Sequence, residues 1–151
     1  MTVTANLYRA ELARINADGW AARPLKMLLL DKTSTYVFDA TDQYVSDVIS
    51  GGGVEGTWTS YARETLSLSA PTIDGSERWQ LLCATADFGI IGTSAADETA
   101  GAIVYDATTD TSDSTRLLVA HFAVSPTVDV WDGTNPFTVT IPGTGLVRTS
   151  A

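Results

Sequence analysis

The chain has 151 residues, of which 44 % are hydrophobic, and it carries a formal net charge of −9. This length favours one domain, and a chain this acidic is not expected to bind nucleic acid. No apolar run approaches the roughly 18 residues of a membrane span, and no secretory leader pattern is present. Cys83 is the single cysteine, which is typical of a protein made in a reducing cytoplasm.

Charge is spread unevenly along the chain. Up to Lys32 there are more basic than acidic residues, whereas the remainder is strongly acidic. Two interpretations stay open: a basic end that docks against an acidic neighbour, another copy included, or ordinary solvated side chains.

The first segment has the pattern of a short amphipathic helix. Tyr8, Leu12 and Ile15 recur at helical spacing after Thr4, a good N-cap, which predicts a helix over about residues 5–16. We therefore divide the chain into a helical arm, 1–23, and a β domain, 24–151. A helix this short needs a surface to lie on, either its own sheet or a neighbouring subunit. The residues that we predict to contact a partner are Tyr8, Arg9, Leu12, Arg14 and Trp20.

The rest of the chain reads as short strands separated by turn signals and rich in Thr. This pattern predicts a mainly β fold, an antiparallel β-sandwich or barrel, with the short N-terminal helix as an appendage. The predicted strands are 24–31, 54–59, 64–68, 79–84 continued by 87–91, and 137–141.

Two strongly apolar runs, 102–105 and 117–122, flank a loop of Asp, Thr and Ser. This is the pattern of a β-hairpin with buried strands and a solvated tip. Strands this apolar are usually central to a sheet, so we expect the other strands to assemble on either side.

Residues that could carry chemistry are few. His121, the only histidine, lies in an apolar run without partners at a catalytic or metal-ligand spacing, and favours a hydrogen-bonded strand histidine. Cys83 also lies in a predicted strand and is interpreted as core. No nucleophile motif or phosphate loop is present, so we expect no enzyme, no catalytic residues and no cofactor.

Acidic residues crowd two loops, Asp106, Asp110 and Asp113 in one and Asp39 and Asp42 in the other. Their spacing does not fit a calcium loop, so solvated turn formers are the better interpretation and no metal site is predicted.

Three aromatic residues lie among turn formers: Trp58, Tyr61 and Trp131. Exposed rings beside Asp, Asn and Thr can stack on a sugar or fill a pocket of a partner protein. The alternative is that these rings cap the ends of the core.

Three segments together resemble small structural proteins of tailed bacteriophages. They are NLYRAELARINADGW with PLKMLLLDKTSTYVFDATDQYVSDVI, then VEGTWTSYARETLSLSAPTID, then GAIVYDATTDTSDSTRLLVAHFA. The resemblance lies in their order and spacing over nearly the whole chain. It implies a virion component without catalytic residues, made in the host cytoplasm.

The function expected from this resemblance is a head decoration, or cement, protein. It would bind the major capsid protein or other virion proteins, assemble as a homo-oligomer with a trimer among the options, and involve neither nucleic acid nor a membrane. The alternative is an adsorption module of a tail or head fibre, which would bind a host receptor or glycan through Trp58, Tyr61 and Trp131.

Overall fold

The structure is a computed structural model that describes residues 2–8, 23–68, 72–73, 79–81, 83–108, 111–141 and 147–148. Strands dominate this part of the chain. In chain order the elements are β1 (Thr2–Leu7), β2 (Leu25–Asp31), α1 (Val45–Ser50), β3 (Glu64–Thr65), β4 (Thr72–Ile73), β5 (Trp79–Leu81), β6 (Ala86–Asp87), β7 (Glu98–Asp106), β8 (Leu117–Asp129), β9 (Thr138–Val139) and β10 (Val147–Arg148).

The main sheet has five strands in the order β1-β8-β7-β2-β3, and every pairing in it is antiparallel. Two smaller sheets accompany it, β10-β5-β4 and β6-β9. The mainly β, antiparallel fold is therefore confirmed. Within the described residues the main sheet is not closed into a barrel, because β1 and β3 lie at its opposite edges and do not pair with each other.

The apolar hairpin lies at the centre of the main sheet. Ala102 pairs with Phe122 and Ile103 with His121, so β7 and β8 run alongside each other in the predicted antiparallel arrangement. β2 then pairs with the other side of β7. The prediction that the most apolar strands are central is confirmed.

Both faces of the main sheet are covered, which explains why its strands are continuously apolar rather than alternating. On one face, here called the helix face, Leu28 and Ile103 pack with Val45 and Val48 of α1. The opposite face carries a second cluster from the same strands. We call it the groove face, and its buried members are Leu25, Met27, Leu29, Leu66, Ala86, Phe88, Ile91, Ala102, Val104, Val119, Ala120, Phe122, Val130 and Ile141.

The N-terminal helix is not confirmed. Residues 5–7, where it was predicted to begin, belong to β1, which pairs with β8 from Thr2 opposite Ser125 to Leu7 opposite Ala120. The β-branched start Thr-Val-Thr suits a strand, and the open edge of β8 supplies a ladder of backbone hydrogen bonds that a lone short helix lacks. The remainder of the predicted helix, 9–16, lies outside the described residues.

The helix that the structure does contain, α1, is tied to the hairpin loop. The Asp47 carboxylate accepts the backbone N–H groups of Gln43 and Tyr44, both at 2.9 Å. The N–H groups of Val45 and Ser46 donate to the carbonyls of Arg116 and Asp113, both at 3.0 Å. The first amides of the helix are thus satisfied by a loop of the central hairpin, which fixes α1 on the helix face.

The predicted strand 54–59 is reduced to one bridge, between Glu55 and Leu30. Its backbone nevertheless follows the edge of β2, since Gly56 N–H donates to the Leu29 carbonyl at 3.0 Å. This close approach places the loop that carries Trp58 and Tyr61 on the groove face.

Candidate functional site

A row of four aromatic side chains crosses the groove face. The ring centroids of Trp58 and Tyr61 are 5.5 Å apart with an edge-on arrangement, those of Tyr61 and Phe88 are 6.1 Å apart, and those of Phe88 and Phe137 are 6.2 Å apart. These separations fall in the range of favourable aromatic pairs. The row therefore joins three loops that are distant in sequence into one surface.

Tyr61 is the anchor of this row. Its hydroxyl accepts the Leu29 backbone N–H at 2.9 Å and donates to Glu55 at 3.2 Å. The turn that presents it is closed by Tyr61 N–H donating to the Trp58 carbonyl, and Ser60 adopts a positive φ of 62° within that turn. Burial, together with the Glu55 carboxylate, raises the pKa of the Tyr61 hydroxyl, which stays neutral. Tyr61 is thus a structural residue, and Trp58 is the outer ring of the pair.

An apolar groove of about 330 Å³ opens beside the row on the same face. Its floor comes from the main sheet and its wall from the segment around β9. The lining residues are Leu29, Thr99, Gly101, Ala102, Phe122, Val124, Val128, Phe137, Thr138, Val139 and Thr140.

The groove offers surface rather than reactive groups. The one buried polar side chain in its floor, Thr99, is satisfied internally, since its hydroxyl lies 2.8 Å from the Leu30 carbonyl and 2.9 Å from that of Gly101. Gly101, two residues later, lies next to a shift in the register of the β7–β8 pairing. An apolar ligand or side chain is the kind of occupant that such a lining suits.

Trp131 lies near the loop that carries Trp58, and Gly92 connects the two. The N–H of Gly92 donates to the Thr59 carbonyl at 3.0 Å, and a Cβ added at Gly92 would lie 3.0 Å from the Trp131 Cβ. The structure thus brings together the two loops that carry the aromatic residues predicted for a glycan. All three of those residues, Trp58, Tyr61 and Trp131, are half-buried.

An ion-pair network holds the Tyr61 loop to the hairpin loop. Arg63 donates to Glu55 at 2.6 and 2.8 Å and to Asp113 at 2.7 Å, and Arg116 donates to Asp113 at 2.5 Å. Both guanidinium groups lie over the Tyr105 ring, 5.4 and 5.5 Å from its centroid. Bonds to Arg63 and Arg116 lower the pKa of Asp113. Burial opposes the charge on Arg63, but its bonds to Glu55 and Asp113 outweigh that cost and raise its pKa.

His121 lies on the helix face, only 4 % exposed, with its ring stacked on Phe38 and edge-on to Tyr36. The prediction of a hydrogen-bonded strand histidine is wrong for Nδ1, which has no partner among the described residues. Burial lowers the pKa of His121 to about 4, so the imidazole is neutral near pH 7. It is a core residue of the helix face.

The residues predicted for partner contact fall into two groups. Tyr8 is fully buried on the helix face, where its hydroxyl lies 3.1 Å from that of Tyr36 and its ring packs on Phe38. In the folded chain it is therefore not available to a partner. Arg9, Leu12, Arg14 and Trp20 lie outside the described residues.

The acidic loops behave differently from one another. Asp39 closes a turn with Thr41, as predicted for a turn former, and Asp42 accepts the Tyr36 hydroxyl at 2.8 Å. Asp106 also acts as a turn former, since its carboxylate accepts the Thr108 N–H at 2.8 Å. The prediction that it is solvated is wrong: it is 4 % exposed and lies 3.7 Å from Arg23, because β7 extends far enough to draw it into the sheet. Asp110 is outside the described residues.

Cys83 is half-buried against the groove-face cluster, and burial raises the pKa of its thiol. Within the described part of the chain, no three His, Cys, Asp or Glu side chains are grouped so that they could hold a metal ion. In the same part, no helix is long and apolar enough to cross a membrane.

No family model, curated protein or solved structure matches this chain.

Sequence reasoning missed two parts of these surfaces. Phe88 and Phe137 extend the aromatic row, and the signal that could have found them is their position directly after β6 and directly before β9, two strands that pair. The second omission is a set of exposed apolar side chains, Ile49 in α1 and Val37, Val54 and Ile90 in loops.

Proposed function

We propose that the protein is a structural component of a bacteriophage virion, most specifically a head decoration protein that stabilises the capsid shell through protein–protein contacts. The sequence resemblance supports this proposal. The segments that carry the resemblance contain β2, most of α1 and large parts of β7 and β8. In this proposal the body acts as a β-sandwich, with the smaller sheets as its second layer.

The observation that carries the binding role is the exposure of three apolar side chains in adjoining segments, Val37, Ile49 and Val54, which we take together as the patch. Val37 is 80 % exposed, although its neighbours Tyr36 and Phe38 pack into the helix-face cluster. The three segments adjoin, since Thr35 N–H donates to the Gly52 carbonyl at 2.9 Å and Gly52 N–H to that of Ile49 at 3.3 Å. Exposed apolar side chains in adjoining segments are typical of a surface that a partner covers.

Binding to the assembled shell but not to its loosened form would stabilise the shell by mass action. The experiment uses phage particles that lack the protein, to which the purified chain is added back. We expect the particles to bind it in many copies and to release their DNA at a higher temperature. Unchanged release temperature with saturating protein would contradict the proposal.

Val37→Asp tests the patch. It places a charge on the contact without disturbing the core, so we expect shell affinity to fall at least tenfold, about 1.4 kcal/mol. The matched control is Ile90→Asp, because Ile90 is also exposed, at 52 %, but lies in a different loop, next to Ile91 of the groove-face cluster. Equal losses in both variants would show that the patch is not the contact.

A second candidate function, adsorption to a host receptor or glycan, is favoured by the closeness of the Trp58 and Trp131 loops. For this function we expect Trp58→Ala with Trp131→Ala to abolish attachment of the purified protein to host cells, and Val37→Asp to leave it intact. Tyr61→Phe is the control for the row, since it keeps the ring. Normal attachment by the double variant would remove this candidate.

A further inference from the structure

The two edges of the main sheet are unlike each other. β3 is two residues long, and it carries Glu64 beside Arg63. Short length and charged side chains are two means by which proteins protect sheet edges from further pairing. β1 is six residues long, and its sequence, TVTANL, contains neither a charged residue nor a proline. Among the described residues it pairs only with β8.

The outward-facing backbone groups of β1 follow from its register. The N–H of Tyr8 donates to the Val119 carbonyl on β8, so the residues that alternate with Tyr8, namely Thr2, Thr4 and Asn6, also face β8. The N–H and C=O groups of Val3, Ala5 and Leu7 therefore point away from the sheet.

We propose that this edge pairs with β1 of a second copy, which gives a two-fold dimer with one continuous sheet. An antiparallel pairing centred on Ala5 places Ala5 opposite itself and Val3 opposite Leu7 of the partner subunit. Every outward N–H and C=O of those three residues then has a partner in the other copy. The dimer is thus self-complementary, as a two-fold interface requires.

The charge of the protein and the lengths of its strands favour β1 of a second copy, rather than another strand of the same chain, as the partner of this edge. With a net charge of −9, most surfaces of this protein repel one another, but an uncharged strand places no like charges opposite each other. The strands of the two smaller sheets are two or three residues long, so within the described chain they cannot match β1 along its length.

The contact is modest in size. Six residues of strand span about 20 Å, which buries less surface than a stable obligate interface. We therefore expect a reversible dimer, with a dissociation constant in the micromolar to millimolar range. The inference concerns the isolated protein and does not rest on the proposed virion function.

The test measures self-association of the purified full chain by sedimentation velocity up to about 1 mM. Ala5→Pro removes the central outward donor at an edge position where proline is tolerated, and we expect it to raise the dissociation constant at least tenfold. Ala5→Ser keeps the donor and should dimerise as the wild type does. A monomer at every concentration, a trimer, or a dimer indifferent to Ala5→Pro would overturn the proposal.

Amide exchange in the wild-type protein decides the matter even if Ala5→Pro fails to fold. We expect the amides of Val3, Ala5 and Leu7 to exchange more slowly as concentration rises, while those of Thr4 and Asn6 are protected throughout. In a mixture of differently labelled copies, an intermolecular contact between the Hα atoms of Thr4 and Asn6 should appear, because that pair lies closest in the proposed register. Exchange of the outward amides that does not change with concentration would refute it. Particle binding is measured separately, so failure of either proposal leaves the other to its own test.

Discussion

Arg63 donates to Asp113 at 2.7 Å and, through the same guanidinium, to Glu55, which ties the loop before β3 to the loop between β7 and β8. A bidentate arginine with two carboxylates cannot be replaced by a point charge without losing bonds. This cation therefore sets how firmly the aromatic row is held against the hairpin.

Replacing Arg63 by Met should destabilise the fold by about 2 kcal/mol, because Glu55 then loses its cation and Asp113 keeps only Arg116. This loss of unfolding free energy is smaller than that for a fully buried ion pair, because Asp113 is partly exposed and solvent screens its charge. Urea unfolding at pH 7 provides the measurement. Lys32→Met, which removes the more exposed pair with Glu98 and a bond to the Ala96 carbonyl, is the control and should cost less than Arg63→Met, because solvent screens an exposed pair. Equal costs would contradict the assigned role of Arg63.

The buried imidazole of His121 makes stability depend on pH. Its pKa is about 4 in the folded chain and near 6.5 when unfolded, so between these values the unfolded state binds more protons. Stability is then present above about pH 6.5 and is lost as the pH falls towards 4, by about 3 kcal/mol in total. The titratable side chain that contacts this ring is Tyr36, whose hydroxyl bonds to Tyr8 and Asp42. Both tyrosines are neutral in this range, and burial raises their pKa values further.

His121→Phe is the variant that isolates this effect, since it keeps an aromatic ring on Phe38 and cannot take up a proton. Its unfolding free energy between pH 6.5 and 4 should vary by about 3 kcal/mol less than that of the wild type. If both proteins lose stability in parallel, the acid sensitivity comes from carboxylates and not from His121.

Gly101 is required by a close approach in the floor of the groove. A Cβ there would lie well inside van der Waals distance of the Phe122 carbonyl oxygen, which belongs to the adjacent strand and cannot move alone. Gly101→Ala should therefore cost about 2–3 kcal/mol. Gly89→Ala is the comparison, with open space around the added methyl group but a positive φ of 69°, and should cost about 1 kcal/mol. Thermal unfolding of the two variants separates a steric cost from a conformational one.

Tyr61→Phe removes a hydroxyl that accepts the Leu29 N–H and donates to Glu55. The amide then loses its partner in a partly buried place, so we expect a loss of about 1–2 kcal/mol with the fold intact. Faster hydrogen exchange at the Leu29 amide is the specific sign, with the amide of Met27, on the same strand, as the internal reference. An unchanged rate at Leu29 would show that the bond does not protect it.

The central part of the fold was predictable from the sequence because local and long-range signals agree there. The runs around Leu28, Val104 and Val119 are too apolar for an exposed face, and a sheet covered on both sides is their natural place. The turn residues of the loop after Asp106 then require a hairpin.

The edges were harder to predict for an equally physical reason. The helical spacing of Tyr8 with later residues favoured a helix, whereas the β-branched residues before it favoured a strand. Pairing with β8 decided for the strand, and no local sequence pattern encodes that pairing. Only half of the aromatic row could be predicted from the sequence. Trp58 and Tyr61 are close in sequence, whereas Phe88 and Phe137 reach them through the pairing of β6 with β9.

The continuous apolar character of β2 also has a cost during synthesis. β2 leaves the ribosome long before β7, its main partner, exists, and until then its Met-Leu-Leu-Leu core has no sheet to enter. A nascent chain in this condition is prone to aggregate or to recruit chaperones. High yields of soluble protein should therefore come from slow translation at low temperature, and refolding from denaturant should succeed only in dilute solution.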